Sequence, residues 1–236
     1  QAAFSRAWGL GLSWANLTLE NFSAVLFEVN SRDTILRTFG YSAAAACAAV
    51  ALALVIAYIV TRRLVRDRGI LTLLCMAPLV IPGIVLGVAF YATYAPPPIA
   101  LYGTAAIIIL AFTARFLPIA YANAAAAMGT LHPEMEEAAR ILGLGRVGTI
   151  LRVTMPLLKR PLLGGWLIVF IVASRELSAA IFLVGPQTRT MSVLIYDLSE
   201  AGNFEVLAAF GGILLAITLV LVAIGMKLAG RDFMLR

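Results

Sequence analysis

Arg115, Arg175 and Glu176 each lie inside a long apolar stretch, where a charge costs at least about 2.5–3.5 kcal/mol on insertion scales. Residues of this kind face protein or water, so two roles are open to them: an interhelical ion pair that fixes packing, or charge lining a substrate path or gate. Neighbours on a helix point about 100° apart, so Arg175 and Glu176 are not expected to pair simply with each other. A second concentration of chemistry is the polar run HPEMEEAARILGLGRVGTILRVTMPLLKRP at 132–161. The sole histidine, His132, reads as a helix-start residue, and with no acidic cluster and no cysteine pair no metal site is expected. No GxSxG or HExxH supplies a nucleophile or a metal-bound water, and no GxxxxGK[ST] could cradle phosphates. The chain is therefore not expected to be an enzyme or to hydrolyse ATP. GLGRVG at Gly143, Gly145 and Gly148 matches the dinucleotide fingerprint, but no strand precedes it and no βαβ unit fits between two apolar spans.

The elements that carry these residues follow from composition and length. Hydrophobic residues make up 62% of the 236 and charged residues 13%, against about 45–50% and about 25% in soluble domains, which excludes a soluble fold. Crossing a bilayer core of about 30 Å takes about 20 helical residues, and five stretches qualify: 41–60, 70–94, 100–128, 161–184 and 207–228. The expected fold class is an all-α polytopic transmembrane helix bundle, with an outer segment over 1–40, a permeation domain over 41–228 and a tail over 229–236. Pro78 and Pro82 in the second span and Pro118 in the third predict kinks or local unwinding. Gly83 and Gly87 predict close approach of another helix.

The net charge of +6 would point to nucleic acid in a soluble protein, but here it is a topology signal and no nucleic-acid partner is expected. Twelve basic residues cluster on one side: Arg62, Arg63, Arg66 and Arg68; Arg140, Arg146, Arg152, Lys159 and Arg160; Lys227, Arg231 and Arg236. The other side holds four, Arg6, Arg32, Arg37 and Arg189. The positive-inside rule predicts the N-terminus outside and the C-terminus in the cytoplasm. Cys47 and Cys75 then differ in depth by about 10 Å, beyond the roughly 7 Å that a disulfide allows, so both are expected to be free. Asn16-Leu-Thr and Asn21-Phe-Ser fit the glycosylation sequon. No basic run precedes a short apolar core, so no signal peptide is visible.

Within the cytoplasmic stretch, Pro133 suits a first helical position and Glu134, Glu136 and Glu137 complement the helix dipole. The spacing predicts a helix to Leu142, a stop at Gly143 in the left-handed region, and a second short helix with Val147, Ile150, Leu151 and Thr154 on one stripe, ended by Pro156. Glu137-Ala138-Ala139, three residues, Gly143, nine residues, then Val153-Thr154-Met155-Pro156 resembles the signature of binding-protein-dependent ABC importer permeases, E-A-A, three residues, G, nine residues, I-x-L-P. Val153 and Met155 depart from that pattern and keep its apolar bulk.

The resemblance extends over roughly 34–230 and implies that 133–156 forms the coupling helices. Ala138 and Ala139 would seat in a cleft of an ATPase subunit, Glu137 would offer a hydrogen-bonding contact, and Gly143 would shape the turn. It also implies two ATP-binding subunits, which hold the ATP and Mg while this chain carries no cofactor, a second permease half, an outer substrate-binding protein, and a multi-pass place in a bacterial cytoplasmic (inner) membrane. ARFLP at 114–118 and the run 174–198 look like the branch that includes ferric-iron importers, with aminoethylphosphonate, thiamine and polyamine permeases in the same branch. Five spans instead of the family's usual six, and a start at Gln1, imply a C-terminal half or a chain whose beginning is absent. Two readings compete. A secondary transporter would need internal repeats and a coupling-ion site, and an intramembrane enzyme a nucleophile and base within reach.

Overall fold

The computed structural model describes residues 1–11, 13–27 and 29–229. The described residues form helices and turns without a strand, apart from one isolated bridge between Ser5 and Leu17. A short α1 (Glu20–Phe27) leads into α2 (Val29–Thr61). At about 1.5 Å per residue α2 is about 50 Å long, well beyond a bilayer core, and its qualifying segment Ser31–Thr61 begins ten residues before the expected 41. Ala45, Ala49, Ala53 and Ala57 on α2 are all fully buried. Small residues repeating every four positions let a neighbouring backbone approach closely, and that neighbour is α5 (Ala105–Gly129), the central helix, which also packs on α3 and α8.

The second expected span is a pair, α3 (Arg68–Val80) and α4 (Gly83–Tyr94), bent by 108°. Ile81 is extended at φ −79 and ψ 123, because the ring of Pro82 excludes the α region for the residue before it. The predicted unwinding thus occurs at Pro82, while Pro78 stays inside α3. In the third span the expected kink does not produce a break: α5 runs continuously through the buried Pro118.

The fourth span departs furthest from expectation. One continuous helical path, Arg146–Ala173, qualifies as the span: α7 (Arg146–Thr149), a π turn (Ile150–Thr154) and α8 (Met155–Ala173). Pro156 therefore does not end the second short helix. It lies two residues past the π turn, inside the continuous helical path. The expected end at 184 is also corrected, since the helix stops at Ala173 and 174–184 is irregular, with one 3₁₀ turn at Ala180–Phe182. The Glu176 carboxylate accepts the Ala179 N–H at 3.0 Å, replacing the Arg175 carbonyl that a continuing helix would offer. The chain closes with α9 (Met191–Glu200) and the last span, α10 (Phe204–Ala229).

The 1–19 segment is held by side-chain amides. Asn16, 6% exposed, accepts from the Ala7 N–H and donates to the Ala7 and Gly11 carbonyls. Asn21 donates to the Ala3 and Ser5 carbonyls. Both sequon asparagines are thus engaged in the local fold, which removes the basis for reading them as glycan acceptors. Cys47 and Cys75 are free.

Candidate functional site

The polar run 132–161 folds into two short helices at one end of the bundle. His132 is the N-cap residue of α6 (Pro133–Ile141) and Pro133 opens its first turn. Gly143 has φ +89, and around it the Gly143 N–H donates to the Arg140 carbonyl at 3.0 Å and the Leu144 N–H to the Ala139 carbonyl at 3.1 Å. This pair of bonds is the Schellman arrangement, which needs a left-handed residue at the Gly143 position.

Behind the two helices lies a buried carboxylate. Glu136 is 2% exposed. It accepts from Arg62 Nη2 at 2.9 Å and Arg62 Nε at 3.2 Å, from Thr154 Oγ1 at 3.1 Å, and from Tyr58 Oη at 3.3 Å. Arg62 Nη2 also donates to the Leu131 carbonyl. The last turn of α2, the first turn of α6 and the π turn are therefore fastened to one another through a single side chain. A buried charge with four donors is satisfied, whereas the same charge with a partner removed is strongly destabilising.

The outward side of the loop is apolar. Ile141 and Leu142 are each 86% exposed, Val147 69% and Leu151 58%, with Met135 also exposed. Large aliphatic groups this open on polar short helices mark a contact surface. Among the expected coupling residues, Glu137 and Ala138 lie on this exposed side, as do Gly143, Met155 and Pro156, while Val153 is half-buried. Ala139 differs: it is 6% exposed, because three residues along a helix bring it to the face of Glu136. The expected stripe also divides, with Val147 and Leu151 outward, Thr154 fully buried and Ile150 half-buried. The extra residue in the π turn shifts the helical phase between them.

A second site lies where the broken helices meet. Arg115 on α5 donates through Nε to Glu176 Oε2 at 2.9 Å, and its guanidinium lies over the Phe116 ring. A Cβ on Gly83 would fall 2.7 Å from Arg115 Cζ and 2.8 Å from Ser178 Cβ, and one on Gly87 would fall 2.8 Å from the Ala179 carbonyl oxygen. Gly83 thus meets the Arg115 side chain of α5 together with Ser178, and Gly87 meets the backbone of the irregular 174–184 segment. Ser192 Oγ donates to the Glu176 carbonyl at 2.7 Å. Of the three intramembrane charges the structure joins two. Arg175 is exposed and forms no ion pair among the described residues. Sequence reasoning missed Glu136 as a structural node, and Arg62 and Tyr58 with it. Its one available signal was the presence of an acid at 136 and a hydroxyl at 154 within the same motif.

With this geometry in place, similarity to known proteins is informative. Residues 49–231 match the family described as binding-protein-dependent transport system inner membrane component. The ferric transport system permease protein FbpB of Actinobacillus pleuropneumoniae is 32% identical over 224 residues, covering 93% of this chain and 32% of that one. The present chain thus spans about a third of that relative's length. A crystal structure of a bacterial ABC transporter involved in import of the acidic polysaccharide alginate superposes with a TM-score of 0.74 at 17% identity, covering 99% of this chain and 87% of that one. A second, of a bacterial alginate ABC transporter in complex with an alginate pentasaccharide-bound periplasmic protein, gives 0.72 at 18% identity over 92% of this chain and 84% of that one. At those identities the likeness is one of fold. With the family match spanning most of the sequence and the helices arranged as in ABC importer permeases, the chain belongs to the binding-protein-dependent transport system inner membrane components, multi-pass permeases of ABC importers.

Proposed function

We propose that the chain forms half of the translocation path of a ferric-iron importer and couples it to an ATPase through the 133–156 loop. The observation that carries the coupling is the pairing of an open apolar surface at Ile141, Leu142, Val147 and Leu151 with a buried Glu136 anchor behind it. A rigidly held plug can transmit displacement of a partner subunit to α2 and α8, whereas a floppy loop would absorb it. Glu137, Ala138 and Gly143 present and shape the plug, and Met155 and Pro156 join it to α8. Ferric iron as cargo rests on the 32% identity to the ferric permease.

The full assembly comprises two ATP-binding subunits that hold ATP and Mg, a second permease half, and an outer binding protein like the periplasmic one named for the alginate structure. ATP binding would close the ATPase dimer and swing the path between inward and outward access, a two-state change biased by ligand. In this scheme Arg115 and Glu176 form a gate across the break and Arg175 faces the path or the second half.

The deciding experiment is reconstitution with cognate ATPase and binding protein, recording which ligand raises ATP hydrolysis. Ferric-loaded binding protein should stimulate it. Stimulation by aminoethylphosphonate, thiamine or a polyamine instead would leave the machinery and change the cargo. The orientation has its own test: single cysteines near Ser31, at the exposed Arg32, and at Arg66 should label from opposite faces, the latter from the cytoplasm.

A further inference from the structure

Beside the Glu136 network, between the end of α2 and α6, lies a cavity of about 250 Å³ on whose wall four guanidinium-bearing residues converge: Arg62, Arg63, Arg140 and Arg146. Two carboxylates, Glu136 and Glu137, also line it. Glu136 is consumed by Arg62, Thr154 and Tyr58, so the remaining wall carries Arg63, Arg140 and Arg146 against Glu137 alone. None of those three arginines forms an ion pair among the described residues. Arg140 makes one long bond, from Nε to its own helix's Glu136 carbonyl at 3.4 Å.

Arg63 carries the second observation. Its φ is +53. The Leu64 N–H donates to the Ile59 carbonyl and the Arg63 N–H to the Val60 carbonyl, so Arg63 holds the left-handed position at the end of α2 that glycine suits best. Placing a side chain there strains the backbone, and strained positions persist where surroundings over-determine them, often at binding sites. The strained residue here is the one that turns a cation onto the cavity wall.

We infer that this cavity binds a phosphate group, supplied by the headgroup of an anionic phospholipid in the leaflet at this end of the bundle. Planar guanidinium forks from two directions match phosphate oxygens. The space is smaller than the roughly 300–1,000 Å³ of sites for larger ligands, which suits one phosphate and its ester oxygens. One wall is the last turn of α2, a helix long and apolar enough to cross a membrane, with Leu64 beside it, and basic side chains just beyond the end of a span attract anionic headgroups. Free phosphate is the other source of the same chemistry.

The test uses the full-length protein in mild detergent, with retention of phosphatidylglycerol against phosphatidylcholine read by native mass spectrometry. Phosphatidylglycerol should be retained in preference, and Arg63→Asn with Arg146→Gln should lower its retention at least about tenfold. Asparagine tolerates the left-handed backbone, so the turn survives. Arg66→Gln with Arg68→Gln removes two charges of the same loop outside the cavity and should leave retention unchanged. Equal loss in both pairs, or no loss in the first, overturns the site. Millimolar inorganic phosphate should fail to displace the lipid; displacement would overturn the headgroup assignment in favour of the free anion. ATPase retention is read in Arg63→Asn alone, which lies outside the 133–156 loop, and should be unaffected. Loss of the ATPase with lipid retained would overturn the lipid reading and assign the cavity to an acidic side chain of the partner.

Discussion

Arg62 Nη2 and Glu136 Oε1 stand 2.9 Å apart across 74 residues of chain. Both are largely buried, their side chains 12% and 3% exposed. Thr154 donates to the same Oε1, and Tyr58 to Oε2. The loop proposed to receive the ATPase is thereby part of the bundle, not an appendage to it.

Removing one partner of that pair is expected to be costly. Glu136→Met should lower stability by about 3 kcal/mol or more, the range for breaking a buried pair. Arg62→Met with Glu136→Met should lose less than the two single changes together, because the second no longer strands a charge. Thermal unfolding of the detergent-solubilised protein reads both, and strict additivity would show that the two residues are uncoupled.

At Gly143 the strain is purely of the backbone, since a Cβ there meets nothing within 4 Å. Gly143→Val should cost at least about 1 kcal/mol in the left-handed region, relieved by re-aiming α6. The spans should insert normally while ATPase retention and ligand-stimulated hydrolysis fall, with Gly143→Asn milder. Glu137→Lys should act on the same contact, so the double change should be less than additive. Normal stimulation in Gly143→Val would remove the coupling role from this loop.

Arg115→Met strands Glu176, whose side chain is 9% exposed, with only the Ala179 N–H as a partner for its carboxylate among the described contacts. Assembly should weaken, and Arg115→Met with Glu176→Gln should restore it by removing the uncompensated charge. Uptake should stay low in the double variant if the pair is a gate. Recovery of uptake together with assembly would make the pair a packing device only.

Gly87→Ala pushes a methyl against the Ala179 backbone, 2.8 Å from its oxygen and 3.0 Å from its Cα. Overpacking of this kind costs about 1–3 kcal/mol, and it should appear as reduced thermal stability. Gly211→Ala, where a Cβ meets nothing within 4 Å, should be neutral or up to about 1 kcal/mol stabilising in its helix.

Much of this molecule was legible along the chain. Hydropathy marked five apolar stretches, four of which overlap helices long and apolar enough to cross a membrane and one the bent pair α3 and α4, because a bilayer demands about 20 apolar residues in a row wherever a helix crosses. Pro82 announced the break that follows α3, and Gly143 the end of α6, since each acts on its own backbone. The EAA spacing identified the family. Pro156 misled: a proline need not end a helix, as Pro118 inside α5 also shows, and here it follows the π turn at Ile150–Thr154 within one helical path.

What the residues determined alone was local or compositional: most of the helical segments, the breaks at Pro82 and Gly143, and the charge asymmetry that predicts their direction. Tertiary structure decided the partnerships. Spacing along the chain does not say which acid of the 134–137 run meets which arginine of 62–68, and in the structure Glu136 meets Arg62. Arg115 and Glu176, 61 residues apart, pair only because α8 stops at Ala173 and turns its continuation onto Gly83 and Gly87. Ion pairs depend on which faces of distant helices touch, and that is set by close packing of small residues in three dimensions, a quantity that spacing along one helix does not contain.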